Sequence, residues 1–78
     1  MLREVSDNLV NSYKEKLTQR EMEVLKYLVE GKNNTEIAKA LMISTHTAKA
    51  HVCSILQKFK VKDRVQAAVK AVSEGIVE

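Results

Sequence analysis

The sequence has no proline, only two glycines, one cysteine and very few aromatic residues, namely two tyrosines and one phenylalanine. So few turn-forming residues disfavour an all-β sandwich or barrel and favour helices. A single cysteine, Cys53, cannot form an internal disulfide, which favours a reducing, cytoplasmic environment. We expect no signal peptide, and the sequence has no apolar run long enough to cross a membrane. We therefore expect a soluble all-α protein that has no membrane partner.

The length of 78 residues corresponds to one small domain. A chain of this size buries about 60% of the surface that its unfolded form exposes, so it has room for one compact core. It has no glycine-rich phosphate loop, no nucleophile elbow and no carboxylate pair expected in a cleft. We expect neither an enzyme nor a cofactor.

Positive charge is concentrated in one part of the chain. The whole sequence has 13 Lys and Arg against 10 Asp and Glu, a net charge of +3. Residues 44–64 alone carry five basic residues against Asp63, a local charge of +4. A basic stripe on an otherwise nearly neutral chain is typical of a phosphate-binding surface, although a solvated helix face would give the same pattern.

Four capping signals divide the sequence into four predicted helices. Side chains that satisfy the first backbone N–H groups of a helix recur at the expected positions: Thr18 with Glu21, Asn34 or Asn33 (the latter with Glu36), Ser44, and Asp63 with Gln66. The first helix is predicted over 17–30 and the third over 45–59, with shorter helices between and after them. Residues 1–16 are predicted to be a linker or N-terminal extension with one or two helical turns. Residues 17–78 are predicted to form a four-helix bundle that contains a helix-turn-helix.

The third predicted helix separates into two faces at about 100° per residue. Its core side comprises Ala48, Val52, Ile55 and Phe59. Its outward side comprises His46, Ala50, Cys53, Ser54 and Gln57, with Lys49 and Lys58 on the shoulders and Thr45 and Thr47 at the start. This helix has no carboxylate, whereas an ordinary solvated helix usually mixes in Asp or Glu. A slim, cationic helix of this kind suits the major groove of double-stranded DNA.

The sequence of residues 17–72 resembles that of a known protein family. The run LTQREMEVLKYLVEGKNNTEIAKALMISTHTAKAHVCSILQKFKVKDRVQAAVKAV, residues 17–72, resembles the DNA-binding domain of the LuxR, FixJ and NarL class of bacterial transcription regulators. The matching positions are Leu17-Thr18, Arg20-Glu21, Leu25, Gly31, Asn34, Glu36-Ile37-Ala38, Leu41, Ile43-Ser44, Thr47, Lys49, His51, Ile55, Lys58, Val61, Arg64 and Ala67.

The resemblance implies sequence-specific regulation of transcription, with the third helix in the major groove. It places Lys49, Ala50 and Cys53 at base edges, with His46 nearby. Contacts to the DNA backbone, or supporting roles, are implied for Thr47, His51, Lys58, Lys62 and Arg64. We also expect backbone contacts from Thr45 and Gln57 on the outward side of the third helix. The fourth helix would pair two protomers, whether before or only after DNA is bound. On this helix Val65, Val69 and Val72 recur at three- and four-residue spacing, and the stripe is interpreted as the homodimer seam, with the core and a partner surface as alternatives. The further partners implied are a phosphorylated receiver domain, as in two-component response regulators, and RNA polymerase.

The sequence departs from the family pattern at three positions. Ala48 replaces a usual valine and keeps the core apolar. Lys60 replaces a frequent glycine after the third helix, so we expect that turn to differ. Cys53 stands where several relatives carry a polar or basic side chain, which affects the DNA sequence that is recognised.

Other functions fit the residues less well. His46, His51 and Cys53 do not converge on a helix as the ligands of zinc must, so no metal site is expected. Cys53 beside Lys49 could act as a redox switch, but a small neutral residue in the groove is the simpler interpretation. Two further alternatives are a stand-alone small regulator of the same family and a helical protein-interaction module.

Overall fold

The computed structural model describes residues 16–77, which form four α-helices and no strand. The helices are α1 (Gln19–Val29), α2 (Asn34–Leu41), α3 (Thr45–Phe59) and α4 (Arg64–Ser73). The predicted all-α class and helix-turn-helix, formed by α2 and α3, are confirmed. Apart from Lys16, the linker predicted at residues 1–16 lies outside the described residues. None of the four helices is long and apolar enough to cross a membrane.

Each of the four helices begins at a capping side chain. Thr18, Asn33, Ser44 and Asp63 each accept the backbone N–H of the residue three positions on. The caps of α1 and α2 are reciprocal, because Glu21 and Glu36 accept the N–H of their own capping residue. Of the two starts left open for α2, Asn33 is the cap and Asn34 is the first helical residue.

All four helices also end in the same way, with one residue in the left-handed conformation. Gly31 and Gly75 take it after α1 and α4, and Met42 and Lys60 take it after α2 and α3. In each case that residue and the next one donate their N–H groups to the last turn, as in a Schellman motif. The turn after α3 therefore keeps the left-handed geometry of a glycine turn, with Lys60 at φ 58°. Our expectation that this turn would differ is wrong.

One apolar core lies among the helices. Its largest fully buried side chains are Phe59, Leu25, Ile37, Ile55 and Val24. The predicted core side of α3 is confirmed, since all four of its members are buried. Helix α1 packs against α3 and α4, while α3 also packs against α2 and α4. In this arrangement α3 is supported by every other helix and keeps one face in solvent.

The buried face of α4 consists of alanines. Ala67 and Ala71 are fully buried, whereas Val65, Val69 and Val72 are 68%, 61% and 55% exposed. The valine stripe is therefore not part of the core. The helix ends at Ser73, and beyond it both Ile76 and Val77 are buried in the core.

The left-handed conformation of Lys60 predicts that a glycine at this position would stabilise the protein. A residue with a Cβ pays a steric cost in this conformation that glycine avoids. We expect Lys60→Gly to raise the free energy of unfolding by about 0.5–1 kcal/mol and the melting temperature by roughly 2–8 °C. Lys60→Ala is the matched control, because it removes the same charge and keeps the strained backbone. An equal gain for both variants, measured by thermal and urea unfolding, would assign the effect to charge and contradict the backbone explanation.

Candidate nucleic-acid interface

The solvent-facing side of α3 is cationic and built from small or slender residues. His46, Lys49, Ala50, Cys53 and Gln57 are all exposed, as predicted. The helix contains no Asp or Glu along its fifteen residues. A phosphate that approached this face would meet no carboxylate of α3.

The N-terminus of α3 adds hydrogen-bond donors to this face. Ser44 caps the helix by accepting the N–H of Thr47 at 3.0 Å, and its hydroxyl donates to the Thr47 hydroxyl at 2.9 Å. Thr45, His46 and Thr47 are exposed in this first turn. The first N–H groups of a helix lack intrahelical acceptors and carry the positive end of the helix dipole, which suits a phosphate.

One flank of α3 is attached to α1 through the Glu21 carboxylate. Lys58 donates from Nζ to Glu21 Oε1 at 2.6 Å, and the Ser54 hydroxyl donates to Glu21 Oε2. The backbone N–H of Thr18 donates to Oε1 at 2.9 Å, and Lys58 Nζ also reaches the carbonyl of Lys16 at 2.8 Å. Ser54 was expected on the outward face, and this is wrong because its hydroxyl is turned towards α1. We call Glu21, Ser54 and Lys58 the carboxylate clamp.

The charge of Glu21 is stabilised within the folded protein. Its side chain is buried, and burial alone would raise the pKa of the carboxyl group. Hydrogen bonds from Lys58, Ser54 and the Thr18 N–H, together with the positive charge of Lys58, outweigh this effect and lower the pKa to about 2. Glu21 is therefore ionised throughout the neutral range and holds α3 by charge-assisted hydrogen bonds.

A second basic side chain of the charged segment is also engaged within the protein. Arg64, the first residue of α4, donates from Nη1 to Asn34 Oδ1 at 3.0 Å and from Nη2 to the Lys32 carbonyl at 2.6 Å. Lys60 and Lys62 remain exposed, and His51 is partly buried. Of the residues predicted to contact the DNA backbone, several are exposed, whereas Lys58 and Arg64 make intramolecular hydrogen bonds.

The exposed valines of α4 line a shallow apolar groove. Val69 and Val72 lie there beside Val29 of α1 and Ala68, and Val65 borders the adjoining part of the same groove. This surface is on the opposite side of α4 from Ala67 and Ala71, and it is open to solvent.

Comparison with known proteins identifies the domain. The profile of the GerE family, described as "Bacterial regulatory proteins, luxR family", matches residues 15–71. This chain belongs to the luxR family of bacterial regulatory proteins. The family resemblance drawn from the sequence is confirmed, and the domain is a DNA-binding domain of transcription regulators, not a member of an enzyme class.

Individual relatives of this luxR-family domain are longer regulatory proteins. The transcriptional regulatory protein DegU of Brevibacillus brevis is 48% identical over 62 residues, 80% of this chain and 26% of DegU. LiaR of Bacillus subtilis is 51% identical over 57 residues, 73% of this chain and 27% of LiaR. The response regulator protein VraR of Staphylococcus aureus is 44% identical over 64 residues, 82% of this chain and 31% of VraR. The chain thus spans less than a third of the length of these relatives.

Within the luxR-family fold, the exposed face of α3 was predictable from the sequence, but the carboxylate clamp was not. The spacing of Thr18 and Glu21 revealed a capping box, and Ser54 and Lys58 are four residues apart on one flank of α3. Glu21 is 33 and 37 residues away from these two partners. No local pattern indicates a pairing over that distance. Among residues 16–77, no three His, Cys, Asp or Glu side chains are grouped to hold a metal ion.

The bonds of the carboxylate clamp predict that loss of the Glu21 charge would destabilise the protein. Glu21→Gln keeps the volume of the side chain but leaves Lys58 without its carboxylate, so the free energy of unfolding at pH 7 should fall by about 1–3 kcal/mol. The matched control is Glu23→Gln, which breaks only the exposed 3.4 Å pair with Arg20. That change should cost less than about 0.5 kcal/mol. Urea unfolding of both variants measures the difference, and equal losses would contradict a special role for Glu21.

The free energy of unfolding that Glu21 contributes should decrease as the pH falls. The lowered pKa of Glu21 gives stability that is complete above its ordinary value of 4.5 and is lost as the pH falls towards 2. The difference between the wild type and Glu21→Gln should therefore shrink by up to about 3 kcal/mol between pH 6 and pH 2. A difference that does not change over this range would contradict the low pKa.

Proposed function

We propose that this domain binds double-stranded DNA in a sequence-specific manner by inserting α3 into the major groove. The observation that carries the proposal is the exposed, carboxylate-free face of α3 around Lys49. Lysine donates well to the acceptor edge of guanine, and small side chains let the helix approach the bases closely. Base contacts are assigned to Lys49, Ala50 and Cys53, with His46 at the edge of the surface.

Contacts to the DNA backbone are assigned to the exposed polar residues at both ends of α3. These are Thr45 and Thr47 at the start of the helix, Gln57 in its last turns, and Lys62 beyond it. His51 is partly buried and is assigned a supporting contact on the flank of the helix. Each phosphate contacted by a cation releases counterions, so binding should weaken steeply with salt.

Lys58 and Arg64 are assigned to the support of the interface instead of direct phosphate contact. Both side chains already make short intramolecular hydrogen bonds, Lys58 with Glu21 and Arg64 with Asn34 and Lys32. Moving either one to a phosphate would leave its partner without that donor. Lys58 is therefore assigned the orientation of α3, and Arg64 is assigned the orientation of α4.

We further propose that two copies pair through the exposed Val65, Val69 and Val72 of α4. One ten-residue helix buries much less than the roughly 1,600 Å² of a standard interface, so pairing is expected to be strongest on DNA. A two-fold dimer would bind half-sites about one helical turn apart. In this arrangement the valine groove is covered by the same surface of the second copy.

In the longer protein, the domain is proposed to be the effector domain of a cytoplasmic response regulator. One relative, VraR, is named a response regulator protein, and its length leaves room for other domains. Phosphorylation of a receiver domain would then control pairing, and RNA polymerase would be a further partner. A stand-alone regulator and a protein-interaction module remain the alternatives that experiment must exclude.

The proposal is tested by selection of bound sequences from random duplex DNA, with salt titration of the best site. We expect one enriched motif, and Lys49→Ala should weaken binding to it and relax the preference at one position. Lys62→Ala should weaken all sequences alike and reduce the log–log salt slope by about 0.9. Lys26→Ala, on the far face of α1, is the control and should change neither property. Absence of DNA binding at low salt would contradict the proposal and favour the interaction module.

Pairing through α4 is tested with Val69→Asn. Val69 is 61% exposed, so the change should alter the free energy of unfolding by no more than about 0.5 kcal/mol. Binding to DNA with two half-sites should weaken roughly tenfold, because the variant places polar groups in the apolar seam. Binding to a single half-site should remain the same and serves as the internal control. Equal effects on both DNAs, measured by titration, would exclude α4 as the pairing surface.

A further inference from the structure

The inner face of α4 carries two cations that connect it to both helices of the helix-turn-helix. Arg64 reaches the start of α2, where it donates to Asn34 Oδ1 and to the Lys32 carbonyl. One and a half turns later, Lys70 donates from Nζ to the Phe59 carbonyl at the end of α3, at 3.2 Å. The valines proposed to pair two copies lie on the other face of the same helix.

The apolar contacts of α4 are made to α1 and α3, and few of its contacts reach α2. Its buried residues within the helix are Ala67 and Ala71, whose short side chains bury little area. The guanidinium of Arg64 bridges the space between α2 and α4. Its planar fork donates two bonds in fixed directions, which a single ammonium group cannot reproduce.

We propose that Arg64 is a positioning residue that fixes the angle between α4 and the helix-turn-helix, and thereby sets the half-site spacing that the dimer accepts. This inference rests on the proposed pairing through α4. In a two-fold dimer the separation of the two α3 helices depends on how each is held relative to the shared α4 seam. A rotation of α4 by a few degrees would displace the distant recognition helix along the DNA. Arg64 would act on spacing without contacting DNA.

The test measures affinity for two half-sites whose centre-to-centre spacing is varied in single base-pair steps around one helical turn. The wild type should prefer one spacing, and Arg64→Met should reduce that preference roughly tenfold. Affinity for one half-site and its salt slope should stay the same. A phosphate-contacting Arg64 would instead lower half-site affinity and reduce the slope by about 0.9.

Two further variants separate geometry from charge and from folding. Arg64→Lys keeps the charge but loses the fork, so it should broaden the spacing preference and keep the wild-type salt slope. Asn34→Ala removes one acceptor, leaves the Asn33 cap in place, and should broaden the preference to a smaller degree. If thermal unfolding shows that Arg64→Met does not fold, Arg64→Lys and Asn34→Ala decide the question.

The possible failures are distinguishable. A spacing preference that survives in Arg64→Lys and Asn34→Ala would overturn the positioning role and leave pairing intact. A wild type that binds half-sites independently, with no preferred spacing, would overturn pairing through α4 and this role with it. A wild type that binds no DNA would overturn the proposed function as a whole.

Discussion

The carboxylate of Glu21 is the constraint on which the presentation of α3 depends. A buried charge must be compensated, and here three donors on two separate segments compensate it: the Thr18 N–H, Ser54 and Lys58. Ser54 and Lys58 lie four residues apart, so both bonds form only when one flank of α3 faces α1. Fixing that flank fixes the rotation of the helix about its axis. The adjacent face, with Lys49 and Cys53, is thereby held towards solvent.

Intramolecular hydrogen bonds also change how the positive charge of residues 44–64 is interpreted. Five basic residues between 44 and 64 suggest five possible phosphate contacts. Lys58 and Arg64 make intramolecular bonds, whereas Lys49, Lys60 and Lys62 are exposed. Charge available to DNA is therefore smaller than formal charge, because part of it holds the helices in place. Under the proposed binding mode, the salt dependence of binding should depend on the exposed cations that contact phosphates.

Structural features that depend on neighbouring residues were predicted from the sequence, whereas features that depend on residues distant in the chain were not. The four caps and the core side of α3 follow from spacings of three or four positions, and all were found. The left-handed Met42 and Lys60 were not predicted, since neither residue type favours that conformation. The residues that follow them, Ile43 and Val61, pack against the core. On α4 the most hydrophobic face is exposed and the alanine face is buried. Hydrophobicity identified an apolar stripe there, but not whether the stripe lies in the core or faces solvent.

The buried alanines and exposed valines of α4 are explained if one face of the helix packs against the core and the other contacts a second copy. Small side chains on the inner face let the backbone of α4 approach α1 and α3 closely, while the larger valines form the proposed contact with a second copy. An interface made of one short helix is too small to hold two copies together at low concentration. When both copies contact the same DNA, the second contact becomes intramolecular and its effective concentration rises to the millimolar range. The proposed pairing and DNA binding would then strengthen each other by the same free energy, so a change that favours one would favour the other.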